Sequence, residues 1–210
     1  YKFIIKNMKF SKSQIYQDLF ILYFSKNKQN GTFIEVGGGN GVDLSNSYLL
    51  EKKYNWKGII CEPEKKSQRK IINKRTAKLE TRPITNKCEK NKIFYVNKDT
   101  YQSTLITSTN YNSKIKVNTV SLNYLLDKRK FNTQIDYISI DTEGNEFEII
   151  KNFNFKKYKV NFFTIEHNFD KDKREKIFKI MTKNNYKRVF QNISYMDDWY
   201  INPKIFYNDK

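Results

Sequence analysis

The chain has 210 residues, and its 40 lysines and arginines against 22 aspartates and glutamates give a formal net charge of +18. This length fits one domain with a sizeable core. No run of eighteen or more apolar residues and no charged-then-apolar leader is present, so we expect no membrane span, no secretory signal and a cytoplasmic protein. Cys61 and Cys88 form no CxxC motif, which predicts ordinary thiols rather than a zinc site.

The positive charge favours anionic partners such as phosphate, nucleic acid or acidic glycan. Lysines and arginines are spread over nearly every segment instead of forming one tract. Charge alone is therefore a weak indication of nucleic-acid binding.

The N-terminal thirty residues are predicted to be an extension and a helix that packs on the core, followed by a single domain over residues 31–210. Residues 1–12 are basic and aperiodic, as expected of an extension. Residues 13–29 carry Ile15, Leu19 and Leu22 at helical spacing, which predicts a helix that ends before Gly31.

Strands and helices then alternate along the chain. The predicted strands are 32–36, 58–61, 78–82, 92–97, 135–140 and 160–166, and the tail is predicted to form two more. The predicted helices are 45–55, 64–75, the end of 117–127, 145–153 and 171–184. This alternation predicts an α/β fold with a parallel sheet and helices on both faces. Ligands bind such sheets at the carboxyl ends of the strands.

The segment EVGGGNG at 35–41 places glycines after the first predicted strand. A P-loop needs GxxxxGK[ST], which is absent, and a dinucleotide fingerprint GxGxxG fails because Val42 or Leu44 stands at its last position. What remains is an acidic residue before a glycine cluster and a second acidic residue, Glu62, after the next strand. This pattern favours S-adenosylmethionine, a nucleoside without phosphates.

Each part of this pattern has a physical role in such a site. Glycines let the backbone approach the amino-acid part of the cofactor. Glu35 can accept hydrogen bonds from its ammonium group, directly or through water, and Glu62 can accept the ribose hydroxyls. The alternative is that the glycines only form a tight turn and that Glu62 is a solvated strand end.

Several segments, in order through most of the chain, resemble the FkbM family of S-adenosylmethionine-dependent methyltransferases. They are YQDLF (16–20), the stretch 33–63, STL (103–105), VNTVSLNYLL (117–126), IDYISIDTEGNEFEIIKNF (135–153) and TIEHN (164–168). The family commonly has Gly-Ala where this chain has Gly37-Gly38, a difference expected only to loosen the turn. The resemblance implies a class I methyltransferase (Rossmann-like) sheet of seven strands, mostly parallel with the last antiparallel, and methyl transfer to oxygen, often of a sugar hydroxyl.

The resemblance also implies a set of cofactor-binding residues. Gln17 and Asp18 match the family's QD and are expected to close over the cofactor. Ser45 and Asn46 match an SN pair whose helix N-terminal donors would meet the cofactor carboxylate, although Ser45 could instead be a helix N-cap. The full expected set is Gln17, Asp18, Glu35, Gly37, Asn40, Gly41, Ser45, Asn46, Glu62, Pro63 and Asp141.

Transfer to an alcohol requires a proton acceptor or a metal, because an aliphatic hydroxyl is a poor nucleophile. Asp141, Glu166 and His167 are predicted to be catalytic, with His167, the only histidine, as general base. The alternative is a divalent cation, Mg²⁺ or Mn²⁺, held by Asp141 and Glu166, with His167 as a further candidate ligand. A third interpretation is that Glu143 and Glu146 only favour the start of a helix and that His167 packs structurally.

The acceptor side is predicted to include the polar loop 98–114. Ser103 and Thr104, together with Glu143, are expected to form a wall or lid over the substrate, and Tyr101 and Tyr111 to stack on a sugar face. A plain surface turn is the alternative for this loop.

Two other functions remain open at this stage. The first is a ribose or cap 2′-O-methyltransferase acting on RNA; a base-amino methylase is disfavoured because DTEG (141–144) stands where such enzymes carry [DNS]PP[YFW]. The second is a methyltransferase-like domain that binds ligands without catalysis. We expect a sugar or glycan acceptor rather than nucleic acid.

Overall fold

The computed structural model describes residues 2–97, 102–106 and 111–206. The strands are β1 Thr32–Val36, β2 Lys57–Cys61, β3 Lys78–Glu80, β4 Ile84–Thr85, β5 Lys92–Val96, β6 Ser113–Val117, β7 Val120–Ser121, β8 Gln134–Ile140, β9 Lys159–Glu166, β10 Lys187–Val189 and β11 Asp197–Ile201. The helices are α1 Lys2–Asn7, α2 Gln17–Phe24, α3 Tyr48–Tyr54, α4 Lys65–Lys74, α5 Leu122–Lys128, α6 Glu146–Lys151 and α7 Lys171–Lys183.

Seven strands form one sheet in the order β3-β2-β1-β8-β9-β11-β10. The β1 strand pairs in parallel with β2 and β8, and β8 pairs in parallel with β9. The β11 strand is antiparallel to both of its neighbours, β9 and β10. The predicted α/β class with a mostly parallel, seven-stranded Rossmann-like sheet is confirmed.

Hydrophobic residues are buried on both faces of this sheet. Along β1, Ile34 packs in one core cluster with residues of α5, α6 and α7, whereas Phe33 packs in the other with residues of α2, α3 and α4. Successive side chains of a strand point to opposite faces, so an almost continuous apolar run supplies both clusters. Helices therefore cover both faces, as predicted. Within the described ranges, no helix combines the length and the apolar character needed to cross a membrane.

The N-terminal segment differs from the prediction. Residues Lys2–Asn7 form a short helix rather than an aperiodic extension, with the Phe3 ring 5.8 Å from that of Tyr23. The predicted helix over 13–29 is confined to Gln17–Phe24. Its start is displaced because the hydroxyls of Ser11 and Ser13 both donate to Asp18, which holds the preceding residues in a turn.

An unpredicted hairpin lies beside the sheet. The β6 strand pairs antiparallel with β5, although its first two residues fall in the stretch predicted as loop. The two-residue strands β4 and β7 also pair. Lysines alternate with small and apolar residues in β6, and nothing in that sequence shows that its partner strand is β5.

Candidate functional site

A cavity of about 320 Å³ lies at the carboxyl ends of the central strands. The residues that line it after β1, β2, β3, β8 and β9 include Gly37, Gly38, Gly39, Glu62, Pro63, Arg82, Pro83, Asp141, Thr142, Glu143, Glu166 and Asn168. Strands that run in parallel end at one edge of a sheet, so residues far apart in sequence meet there.

The glycine loop passes between two neighbouring strand ends. The Gly37 amide donates to the Cys61 carbonyl at 3.0 Å, and the residue has φ +86°. A Cβ at Gly37 would lie 1.6 Å from the Asp141 carbonyl oxygen. The loop therefore requires glycine here for backbone conformation and for space.

Glu35 organises the loop that follows the glycines. Its buried carboxylate accepts hydrogen bonds from the Ser45 hydroxyl (2.9 Å), the Asn46 amide (2.6 Å) and the Ser47 hydroxyl (2.5 Å). Burial raises the pKa of Glu35, while the nearby Arg75 guanidinium opposes the rise. Both carboxylate oxygens contact protein donors, and Glu35 does not line the cavity. Of the two expected routes from Glu35 to a cofactor ammonium, direct or through water, this geometry favours the indirect one.

Arg75 is a buried part of the same network that the sequence analysis missed. Its guanidinium donates to Glu51 (3.0 Å), the Gly41 carbonyl (2.6 Å) and the Ser47 hydroxyl (2.8 Å). It thus ties the glycine loop to the start of α3. The sequence offered little sign of this role, because Arg75 follows a lysine-rich helix and its partners lie 24 to 34 residues away.

The segment from Asn40 to Asn46 carries several predicted cofactor residues. The Asn40 side chain accepts from two backbone amides, at Val42 and Asp43, and so shapes the turn without lining the cavity. Ser45 is not a helix N-cap, since α3 begins at Tyr48 and the Ser45 hydroxyl donates to a carboxylate. Asn46 does line the cavity. Its buried Oδ1 has no hydrogen-bond partner among the described residues.

Glu62 places a carboxyl group in the cavity at the end of β2. It is 5% exposed, accepts the Glu64 amide at 2.8 Å and is also hydrogen-bonded by the Gly39 amide. Burial raises the pKa of Glu62 to about 8, and the two amides oppose that rise. Pro63 follows it in the cavity wall.

Three carboxyl groups converge on the opposite side of the cavity. Asp141, Glu143 and Glu166 each offer an oxygen, and these oxygens lie within 4.8 Å of one another. Burial and the negative charges of Glu143 and Glu146 raise the pKa of Glu166 to about 8. Burial and the charge of Glu166 raise the pKa of Asp141 well above its usual value. Glu166 is 5% exposed, and its Oε2 has no hydrogen-bond partner in the described part of the chain.

His167 does not join this cluster. Its Nδ1 accepts the Phe169 amide at 3.1 Å, and burial lowers its pKa. The cavity is lined by Glu166 and Asn168, whereas His167 between them does not line it. His167 follows the last residue of β9, and Glu143 rather than His167 is the third member of the carboxyl cluster. A general-base or metal-ligand role of His167 stays a prediction.

Gln17 and Asp18 lie outside the cavity wall as well. The Gln17 amide donates to buried Asp197 at 2.9 Å, and Asp18 accepts the hydroxyls of Ser11 and Ser13. Both residues hold the N-terminal segment in place, and Gln14 of that segment lines the cavity. The expected closure of these two residues over a cofactor stays a prediction.

The predicted acceptor loop is only partly described. Ser103 lines the cavity, and the Thr104 hydroxyl donates to the Glu143 carbonyl at 2.8 Å, so this loop contacts the acidic side directly. Tyr111 packs against Tyr95 at 5.0 Å and does not line the cavity. Tyr101 lies outside the described residues.

Sequence comparison decides the family. Residues 35–189, which are most of the chain, match the family model described as the methyltransferase FkbM domain. The chain belongs to the FkbM methyltransferase family. The FkbM domain also resembles the solved structure of precorrin-6y C5,15-methyltransferase from Geobacter metallireducens GS-15, with a TM-score of 0.44 and 10% sequence identity over 88% of this chain and 85% of that one. A search of curated protein sequences returned no significant match.

Methyltransferases of this kind use S-adenosylmethionine, and the cavity of this FkbM domain has hydrogen-bond acceptors suited to its ammonium and hydroxyl groups. Asn46 presents a buried acceptor oxygen suited to an ammonium group. Glu62 presents a fixed carboxyl at the neighbouring strand end. The cavity wall also includes Gly37, Gly38 and Gly39, whose lack of side chains lets a ligand approach the backbone closely.

Proposed function

We propose that this FkbM protein is an O-methyltransferase that methylates a sugar hydroxyl of a glycan or glycoconjugate. The observation that carries the proposal is Glu166, a buried carboxyl in the cavity wall with a pKa of about 8 and an oxygen that has no hydrogen-bond partner among the described residues. A carboxylate with such a pKa is a general base suited to pH values near neutrality.

The residues divide the work of the reaction between two sides of the cavity. Asn46 and Glu62 would hold the amino-acid and ribose parts of S-adenosylmethionine, whose sulfonium would supply an electrophilic methyl group. On the other side, Glu166 would accept the proton of the acceptor hydroxyl as the methyl group passes from sulfur to the hydroxyl oxygen. The negative charges of Glu143 and Glu146 make Glu166 a stronger base. Alignment of the cofactor and the acceptor in one cavity contributes further to the rate enhancement.

The charge of the acceptor side favours a neutral acceptor over RNA. Asp141, Glu143 and Glu166 meet there, and these carboxyl groups repel a phosphate backbone to the extent that they are ionised, despite the +18 of the whole chain. Arg82 in the wall is already bonded to Glu80 at 2.7 Å. A polyhydroxylated sugar suits carboxylate acceptors without this repulsion.

A divalent cation is a second candidate for activating the hydroxyl. The spacing of the three carboxylates and the unpartnered Oε2 of Glu166 suit an oxygen-ligated Mg²⁺ or Mn²⁺. The cation would relieve the repulsion among the carboxylates and lower the pKa of an acceptor oxygen. Activity that is lost in EDTA and restored by either ion would favour this route over Glu166 acting alone.

The function is tested with labelled S-adenosylmethionine and a panel of deoxysugar glycans and RNA oligonucleotides, each with EDTA, Mg²⁺ or Mn²⁺. We expect label on a glycan, a loss of about 100-fold or more in Glu166→Gln, and no loss in Glu175→Gln, a more exposed carboxylate on α7. Label on RNA alone would support a ribose or cap methylase. No label on either, with cofactor binding intact, would support a non-catalytic module.

A further inference from the structure

Two exposed aromatic side chains lie next to the acidic side of the cavity. Phe169 is 55% exposed and Tyr195 is 61% exposed. Their ring centroids are 4.8 Å apart with an interplanar angle of 81°, an edge-to-face pair. Their immediate chain neighbours, Asn168 and Met196, line the cavity. The pair therefore borders the site from two different turns.

The backbone holds both rings in conformations that large side chains avoid. Phe169 has φ +60° and Tyr195 has φ +52°. Asn168, which directly precedes Phe169, has φ +48°. Left-handed backbone at a bulky residue is strained and persists only where surrounding contacts enforce it. Here the Met196 carbonyl accepts the amides of both His167 (2.9 Å) and Asn168 (3.1 Å), which fastens one turn to the other.

Burial of the two rings does not offset this backbone strain, because neither ring belongs to a hydrophobic core cluster and both are exposed to solvent. Strained positions of this kind concentrate at ligand sites. We propose that Phe169 and Tyr195 form a platform on which a sugar ring of the acceptor stacks. The inference rests on the proposed glycan methylation and adds the residues that select and orient its substrate.

The chemistry of the platform and of its surroundings selects a sugar. The C–H face of a hexose or deoxyhexose is apolar and slightly positive, which suits the negative face of an aromatic ring. A nucleobase would stack equally well, but its phosphates would face the acidic group of Asp141, Glu143 and Glu166, which repels them to the extent that it is ionised. Phe169 lies three residues beyond Glu166, and Asn168 between them lines the cavity, so the platform and the proposed base belong to the same segment after β9.

The test uses Phe169→Asn, Tyr195→Asn and the double variant, because asparagine tolerates left-handed backbone and preserves the turns. Tyr23→Ala, which removes a 52% exposed ring from α2, is the control. Calorimetry on protein saturated with S-adenosylhomocysteine measures binding of 6-deoxyhexose and hexose oligosaccharides and of a single-stranded RNA. Turnover of the same glycans is measured in parallel.

We expect each single variant to weaken glycan binding and raise the acceptor KM by about tenfold, with kcat within about twofold and S-adenosylhomocysteine affinity unchanged. The control should match the original protein. Unchanged glycan affinity in the double variant, no glycan binding by the original protein, or weakening of RNA binding alone would each overturn the platform. Glycan binding that depends on both rings without any methylation would uphold it and reject the proposed function instead.

Discussion

Gln17 and Asp197, which are 180 residues apart in the chain, are joined by a 2.9 Å hydrogen bond from the glutamine amide to the carboxylate. Asp197 stands opposite Glu166 where β11 pairs with β9. Burial raises the pKa of Asp197 to about 7, and the Gln17 bond opposes that rise. The N-terminal helix α2 is therefore attached to the side of the cavity where the proposed proton transfer takes place.

Replacing Gln17 tests this attachment. Gln17→Leu should lower the free energy of unfolding by about 1–3 kcal/mol, because it leaves a buried carboxyl without this donor. Urea denaturation measures the change, and Gln29→Leu, at an exposed position beyond α2, is the control. Equal stability of the two variants would show that the bond contributes nothing.

Arg75 should be essential for the shape of the cofactor side. Arg75→Met leaves the buried carboxylate of Glu35 without its cation and Glu51 with only Lys52, and we expect a loss of about 3–5 kcal/mol in unfolding free energy. Arg69→Met, at an exposed position of the preceding helix α4, should change stability by less than about 0.5 kcal/mol. A similar small change for Arg75→Met would contradict the role of the network. Chemical denaturation of both variants decides.

Features set by neighbouring residues could be predicted from the sequence, whereas features set by contacts between distant residues could not. The β1, β8 and β9 strands and the acidic residues after them were predictable, because continuous apolar runs end there at polar or glycine residues. The roles of Arg75 and Asp197 were not, because they depend on partners many residues away. The position of His167 outside the carboxyl cluster was not predictable for a related reason. Its residue type suggested a base, but only the backbone after β9 decides whether its ring faces the cavity.

Glu62 provides a test of the ribose assignment. Glu62→Gln should weaken binding of S-adenosylhomocysteine by about 1–3 kcal/mol, since a neutral amide replaces a charged acceptor of hydroxyl hydrogen bonds. The effect should be larger above pH 8 than at pH 6, because the Glu62 pKa of about 8 leaves the carboxyl largely protonated at the lower pH. Calorimetry at both pH values measures it. A pH-independent affinity in the unmodified protein would reject ionised Glu62 as the ribose contact.

The raised pKa of Glu166 should make the free energy of unfolding depend on pH. Its pKa is raised from 4.5 to about 8, so the folded state binds this proton more tightly than the unfolded state between those values. The contribution is fully present below about pH 4.5 and is lost as pH rises through about 8. Glu166→Gln cannot lose a proton, so its stability relative to the original protein should increase over this window.

Thermal unfolding from pH 5 to pH 9 in buffer with EDTA measures that difference. Glu62 titrates in both proteins, so the difference between the two curves reports Glu166 together with its effect on neighbouring Asp141. Glu175→Gln, more exposed on the adjacent helix α7, should run parallel to the original protein. Parallel curves for Glu166→Gln would mean that the carboxyl titrates normally and is not the proposed base.

We propose that S-adenosylmethionine binds across the ends of β1 and β2. Calorimetric titration of the purified protein with S-adenosylhomocysteine, alongside the Glu62→Gln and Asn46→Ala variants, tests this site. We expect one-to-one binding by the original protein and weaker binding by both variants. No heat of binding, or equal affinity in all three proteins, would contradict this site.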